Sequence, residues 1–396
     1  MKTILHVITS MDPQTGGPAQ VIRNSVFYLE QLHLNNEVVC LDPEEVTYPM
    51  NDLFTIYKLG RGKSAFQYSS KLDQWLLQHI SRYDAVVVHG IWQYHNYAVY
   101  KAVKKLKARK AKVPKVVIMP HGMLDPYFQK SKTRRMKALR NKIVWQLTER
   151  KSINAADALF FTCEEELLLA RMAFKGYRPK QELDVGLGIQ SPPAFVPEMK
   201  NEFLQKCPDI GKGYWLFLSR IHEKKGVDIL IDAYSKISSK YPKVPDLVIA
   251  GPKDSEYARQ MMEKAKTNEK IHFTGMLNGA SKWGGFYGCK AYILPSHQEN
   301  FGIAIVEALA CRKPVVITKK VNIWREIADG NGGLVLEEAD SNLLYGAFER
   351  LYQMKESDLE SMESNAYNTF KEKFSIEERA AVFAKTIDAI CKVVTD

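Results

Sequence analysis

No two of the six cysteines (Cys40, Cys163, Cys207, Cys289, Cys311 and Cys391) lie closer than 22 residues, and no Cys-x-x-Cys pair occurs. Such spacing provides neither a zinc-ligating cluster nor a disulfide scaffold, and it is the pattern expected of reduced thiols in a cytosolic protein. No apolar run approaches the roughly 18 residues needed to span a bilayer. The stretch from Met1 to Thr9 carries one lysine and a short apolar run that stops at Asp12 and Pro13. It is expected to form a first buried strand; a signal peptide would need a longer apolar region and a small-residue cleavage site. A Gly-x-Gly-x-x-Gly fingerprint is missing, because Gly186-Leu187-Gly188 continues to Ser191 and Gly16-Gly17 has no third glycine in register. That excludes a dinucleotide-binding dehydrogenase. Gly62-Lys63-Ser64 hints at a phosphate loop, but the first glycine it needs would fall at Tyr57. A P-loop NTPase is excluded with it.

Positive charge, by contrast, is in excess and unevenly placed. Of the formal net charge of +11, the segment Lys101 to Lys151 holds 17 lysines and arginines against two acids, Asp125 and Glu149, leaving the other 345 residues at −4. Within it, Lys130 to Lys151 sets Met136, Leu139, Ile143 and Leu147 at helical spacing among Arg134, Arg135, Lys137, Arg140 and Lys142. This predicts a basic amphipathic helix. Its apolar stripe either packs on its own domain or meets an anionic membrane surface, and the second is the expectation. The protein would then be cytoplasmic and peripheral on the membrane. No nucleic-acid-binding module accompanies the patch, so nucleic acid is not expected as a partner.

At 396 residues the chain suits two domains of somewhat under 200 residues each. Short β-rich runs alternate with longer helical patterns: Ile4 to Ile8, Ala85 to Val88, Val116 to Met119 and Ala158 to Phe161, then Trp215 to Leu218, Leu247 to Ala250, Ala291 to Leu294 and Pro314 to Thr318. This alternation predicts an α/β protein with parallel sheets covered on both faces. It occurs twice and lapses between about Gly188 and Tyr214, where Pro192, Pro193, Pro197 and Pro208 stand among polar residues. The expected domains are 1–190 and 191–374, followed by an amphipathic helix over 375–396 with Ser375 as its N-cap.

The stretch from Leu294 to Leu309 carries the most chemistry. Ile293 and Leu294 end a strand-like run, Pro295 and Ser296 break it, and Ile303, Val306 and Leu309 recur at helical spacing, giving strand, loop, helix. A helix starting near Gly302 aims its free N–H groups and positive dipole end into the loop, where a phosphate would be held. Glu299 lies in the loop. Glu307 falls roughly two turns into the helix at about 1.5 Å per residue, so the two acids could grip opposite ends of one elongated anionic ligand. A nucleotide diphosphate-sugar has that shape.

This segment resembles the E-x7-E signature of the retaining glycosyltransferases of family 4, which have the GT-B fold. Four companion segments agree and stand in the right order: Gly16-Gly17-Pro18 is similar to the N-terminal glycine loop, Met119-Pro120-His121-Gly122 to the histidine turn, Phe217 through Asp228 to the Arg and Lys-Gly phosphate element, and Phe273-Thr274-Gly275-Met276-Leu277 to the base-binding turn. The resemblance implies two Rossmann-like domains facing across a cleft, an N-terminal acceptor side and a C-terminal nucleotide-sugar side, with the last helix crossing back onto the N-terminal domain. It implies transfer of a sugar, with retention, from a UDP- or GDP-sugar to an acceptor hydroxyl. A lipid-linked or polysaccharide-precursor glycan of cell-surface assembly is the expected acceptor.

Such a reaction must stabilise a departing diphosphate. Arg220, a planar donor fork, and Lys225, a flexible point charge, suit that task, helped by N–H groups around Asn300, Phe301 and Gly302. The resemblance further implies that Glu307 accepts hydrogen bonds from ribose, that Glu299 holds a donor-sugar hydroxyl, that Met276 lies at the base and that His121 lies beside the donor sugar. Gly16 and Gly17 would let the backbone approach a substrate closely. His89, Trp92 and Asp125 are candidate acceptor contacts. No Asp-x-Asp occurs, so metal-independent catalysis without a cofactor is expected.

Two departures from the family pattern stand out. Ala310-Cys311-Arg312-Lys313-Pro314 lacks a glycine before the proline, and Val185-Gly186-Leu187-Gly188-Ile189 lacks the Asn-Gly often found at the interdomain turn. A nucleotide-sugar epimerase of the same fold and a catalytically silent sugar- or lipid-binding scaffold are the rival functions; Glu299, Glu307 and Lys225-Gly226 argue against both.

Overall fold

A computed structural model describes residues 1–48, 52–130, 135–211 and 213–392. The chain forms two units, Met1–Gly188 with Ile376–Asp396, and Ile189–Ser375.

The first unit is built on a parallel sheet of seven strands: β1 (Lys2–Val7), β2 (Leu34–Cys40), β3 (Thr55–Lys58), β4 (Ala85–His89), β5 (Lys115–Met119), β6 (Ala158–Phe161) and β7 (Glu182–Asp184). Their order is β3-β2-β1-β4-β5-β6-β7. Order reverses at β1, which pairs with β2 on one side and β4 on the other. In doubly wound sheets such a switch point opens a crevice at the carboxyl ends of the strands. One face of the sheet packs Leu5, Val7, Val86, Val88, Ile118 and Leu159 against flanking helices. On the other face Ile4, Val87, Val117 and Phe160 meet Ala380, Ile387 and Ile390 of the last helix, Ile376–Lys392. Lys2 of β1 also pairs with Asp388 of that helix. The terminal helix therefore completes the core of the first unit, although the whole second unit intervenes in sequence.

The second unit holds six parallel strands: β8 (Tyr214–Leu218), β9 (Asp246–Ala250), β10 (Ile271–Gly275), β11 (Ala291–Leu294), β12 (Val315–Thr318) and β13 (Gly333–Leu336). Their order, β10-β9-β8-β11-β12-β13, places the switch point between β8 and β11. The prolines between Gly188 and Tyr214 do not exclude regular structure: Pro197 occupies the first turn of a helix, Pro197–Lys206, where a missing N–H costs nothing. That helix packs on Gly279–Gly288, and a Cβ on Gly284 would overlap the Met199 carbonyl.

The basic segment is helical from Arg135 to Val144, passes through a π-helical turn at Trp145–Glu149 and continues over Arg150–Ala155. Ala138, Asn141, Trp145 and Glu149 face inward. The predicted apolar stripe faces out, with Met136, Leu139, Ile143 and Leu147 between 54% and 80% exposed. Residues 131–134, including Arg134, lie outside the described residues. Among the described residues no helix is long and apolar enough to cross a membrane.

Candidate active site

At the switch point of the second unit, two loops separated by some 70 residues are stitched into one surface. β8 leads through exposed Arg220 into a 3-10 turn, Glu223–Lys225, closed by Gly226 at φ 68°. β11 leads into Pro295–Asn300. His297 N donates to Lys224 O at 2.9 Å, and Ser296 Oγ donates to the same carbonyl at 3.0 Å. A Cβ on Gly226 would overlap Pro295 O, so only glycine gives both the left-handed backbone and this approach. Thr318 Oγ1 donates to Ser296 O at 2.6 Å, tying β12 to the same loop.

This stitching sets Lys225 Nζ against Glu299 Oε2. Lys225 is only 7% exposed. Burial, together with the neighbouring Lys224 and Arg220 cations, pulls its pKa down to about 7. The Glu299 carboxylate pulls the other way without cancelling the burial. Backbone bonds from Glu299 N to Lys320 O at 2.9 Å and from Asn322 N to Glu299 O at 3.0 Å fix the acid's position. Asn300 Oδ1 accepts from Asn322 Nδ2 at 3.1 Å. The helix then begins at Ile303, with Gly302 as N-cap at φ 77°, and ends at Ala310. Its first free N–H groups face the loop as predicted. Phe301 is buried, its ring edge-on to Phe374 at 5.7 Å, so its backbone rather than its side chain is available to a ligand.

Glu307 is the fifth residue of this helix, a little over one turn in, where roughly two turns were expected. Its Oε1 accepts from Lys282 Nζ at 2.8 Å, and that ammonium stands 4.1 Å from the centroid of the Trp283 ring. Lys282 and Trp283 were not singled out from the sequence. Their signal is their place in the helix Gly279–Gly288 that follows the turn carrying Met276, which is exposed beyond β10. Beyond Ala310, Arg312 takes φ 61°, a left-handed backbone that favours glycine, with its guanidinium 4.4 Å from the Tyr367 ring centroid.

In the first unit, Gly16 at φ 110° and Gly17 open the helix Gly17–Gln31, and a Cβ at either would meet nothing within 4 Å. His121 follows β5 at φ 52° and Gly122 at φ 77°. Gly122 N donates to Glu166 Oε1, while Thr162 N donates to Glu166 Oε2 at 2.9 Å. Glu166, buried and held by three donors, anchors the histidine turn and was missed in the sequence, where it is one of three consecutive glutamates at a helix start.

All three candidate acceptor contacts are engaged with neighbours in the first unit. His89 is buried, with Nδ1 3.0 Å from His121 Nε2 and Nε2 2.9 Å from His6 Nδ1. Trp92 donates from Nε1 to Met123 O at 3.2 Å, and its ring lies against Phe174. Asp125 is buried and accepts from Tyr127 N at 2.8 Å.

Residues 201–369 match the model of the family described as glycosyl transferases group 1. The likeness to that family is carried by this segment of the second unit. Among its relatives is O-antigen chain mannosyltransferase C of Escherichia coli, 30% identical over 174 residues, which are 42% of this chain and 44% of that protein. The chain spans less than half the length of the curated relatives it matches first. Among solved structures, a glycosyltransferase from Rickettsia africae superimposes with a TM-score of 0.75 at 16% identity, covering 99% of both chains. Anabaena Alr3699/HepE in complex with UDP gives 0.74 at 17% identity, covering 98% of this chain and all of that one. These likenesses show the fold, GT-B with two Rossmann-like units, and the family match falls on the unit that carries Lys225, Glu299 and Glu307.

Proposed function

We propose that the protein is a retaining, metal-independent glycosyltransferase that moves a sugar from a UDP- or GDP-sugar to a hydroxyl of a lipid-linked or polysaccharide-precursor glycan. The observation that carries this reading is the buried Lys225 beside Glu299 at the switch point of the second unit, next to the free N–H groups of a helix start. A buried cation of lowered pKa is a site that gains from an incoming anion, and the helix start adds fixed donors for it.

In this reading the donor diphosphate takes Lys225 and Arg220 as counter-charges, which strengthen as the bond from phosphate oxygen to anomeric carbon breaks. Glu299, released from Lys225, turns to a donor-sugar hydroxyl. Glu307 exchanges Lys282 for ribose hydroxyls, and Trp283 beside it offers a face to the base. The acceptor oxygen bonds to the anomeric carbon on the face the phosphate leaves, and its proton passes to the departing diphosphate. His121 hydrogen-bonds a substrate hydroxyl. The exposed stripe of Met136, Leu139, Ile143 and Leu147, flanked by Arg135, Lys137, Arg140 and Lys142, suits an anionic membrane surface, where a lipid-linked acceptor would be presented.

A thermal-shift screen against UDP- and GDP-sugars tests this reading. A donor at 100 times its Kd stabilises by about 2.7 kcal/mol. Absence of stabilisation by every nucleotide sugar, together with absence of donor hydrolysis, would leave a silent scaffold as the better description.

A further inference from the structure

Four adjacent strands of the first unit carry a hydrogen-bonded chain of side chains, of which the proposed mechanism uses only the last. Asn36 on β2, His6 on β1 and His89 at the end of β4 lead to His121 just past β5. Parallel register aligns them: His6 stands opposite Val38 and Val87, and His89 opposite Met119. Asn36, His6 and His89 are each at most 4% exposed. Consecutive rings lie 5.2 Å and 5.3 Å apart between centroids.

Proton positions along this chain follow from one amide. Asn36 Nδ2 donates to Leu34 O at 2.8 Å, so its Oδ1 is the atom facing His6 Nε2 at 3.0 Å. An amide oxygen only accepts, so His6 carries its proton on Nε2 and presents a bare Nδ1. That lone pair faces His89 Nε2 at 2.9 Å, which must therefore be the protonated nitrogen of His89. The bare Nδ1 of His89 in turn faces His121 Nε2 at 3.0 Å. The reverse assignment would set two acceptors against each other at Asn36. We propose that Asn36, His6 and His89 are positioning residues that hold His121 as its Nε2–H tautomer, with Nδ1 directed as an acceptor to a hydroxyl of the substrate sugar.

Three observations agree with this. Burial pulls the pKa of His6 and of His121 down to about 4 and that of His89 well below the usual histidine range, so all three rings are neutral near pH 7 and each has one donor and one acceptor nitrogen. His121 Nδ1 has no partner among the described residues. The backbone at His121, φ 52°, is left-handed and strained for a non-glycine residue, and it is held in place by the bond to His89 and by the anchoring of Gly122 on Glu166. His95, whose Nε2 lies 3.0 Å from His89 O, also packs against the chain.

The substrate-hydroxyl half of this inference rests on the proposed transferase function; the tautomer half does not, and the experiment separates them. Long-range proton–nitrogen NMR spectra of histidine-labelled protein report which ring nitrogen carries the proton. Expected for the wild-type chain is a neutral Nε2–H tautomer at His6, His89 and His121. An Nδ1–H or mixed tautomer at His121 overturns the proposal without any variant being made. In Asn36→Leu the amide acceptor is gone, and His121 should become a tautomer mixture with kcat/KM for transfer down by about tenfold, the scale of one hydrogen bond. Asn36→Gln keeps an amide with both an accepting oxygen and a donating nitrogen and should retain the wild-type tautomer and most of the activity. An Asn36→Leu protein with a changed His121 spectrum but undiminished transfer overturns the substrate role.

Discussion

Donor affinity should fall as pH rises through about 7, and Lys225 sets the size of the effect. Its pKa of about 7 means that the folded, ligand-free site is half charged at that pH. A diphosphate held by Nζ favours the ammonium form, so binding takes up a proton wherever the free site lacks one. If only the charged form binds, the apparent Kd scales with one plus the ratio of neutral to charged lysine. Between pH 6 and pH 8 that factor grows by about tenfold, equivalent to roughly 1.4 kcal/mol. The sign follows from the direction of the shift: a lysine lowered by burial is most receptive to an anion below its own pKa.

Isothermal titration with an intact nucleotide sugar is the appropriate assay, because its diphosphate is a diester and lacks the terminal phosphate ionisation near pH 6. Buffers of different ionisation heat would count the protons directly, with uptake approaching one per ligand at pH 8 and little at pH 6. Lys225→Arg keeps a cation whose charge does not titrate in this range, so its pH dependence should flatten even if its affinity drops. A wild-type Kd that stays constant from pH 6 to pH 8, or falls as pH rises, would refute the assignment of Lys225 as the diphosphate cation.

Glu299→Gln should leave nucleotide affinity nearly intact while lowering turnover by on the order of 100-fold, the scale of one lost transition-state contact; Glu307→Ala should chiefly raise the Kd for nucleotide, and interchanged effects in initial-rate and titration data would reverse the two roles. Transfer should persist in EDTA, and loss of activity restored by Mg²⁺ or Mn²⁺ would exclude the metal-independent route. Sedimentation with anionic vesicles should decline with salt and with Arg135→Glu and Lys137→Glu, since each basic residue near such a surface contributes about 1 kcal/mol within a Debye length; equal binding to neutral vesicles would return the segment to a solvated helix.

Eight of the strands were legible because each is a mostly apolar run buried on both faces, which in β1 accommodates His6. β2 was not, for a physical reason: its Asn35, Asn36 and Glu37 interrupt the pattern, yet Asn36 is buried and satisfied by His6 and by the Leu34 carbonyl. A polar residue whose partner comes from another strand looks like a loop residue until the partner is known. Edge strands β3 and β7, of four and three residues, are too short to show a period. The helix at Pro197 was hidden by the prolines around it, although proline at a helix start is favoured.

The site divides along the same line. Local spacing carried Gly302 and Glu307, since strand, loop and helix are contiguous there, and the family resemblance carried the Lys225-Gly226 turn. Pairings across the sheet were beyond its reach: Lys225 with Glu299 lies 74 residues apart in sequence, and Lys282 with Glu307 depends on two helices set side by side. The histidines show the difference most clearly. Nothing local distinguishes His89 from His121, as both follow a strand and precede glycine. Only the register of β1, β4 and β5 decides that one ring is buried between two others while the next, one strand over, keeps a free nitrogen. A parallel sheet thus converts strand order, which local pattern does not encode, into the direction of every hydrogen bond along the chain, and the chemistry of His121 depends on an asparagine 85 residues before it.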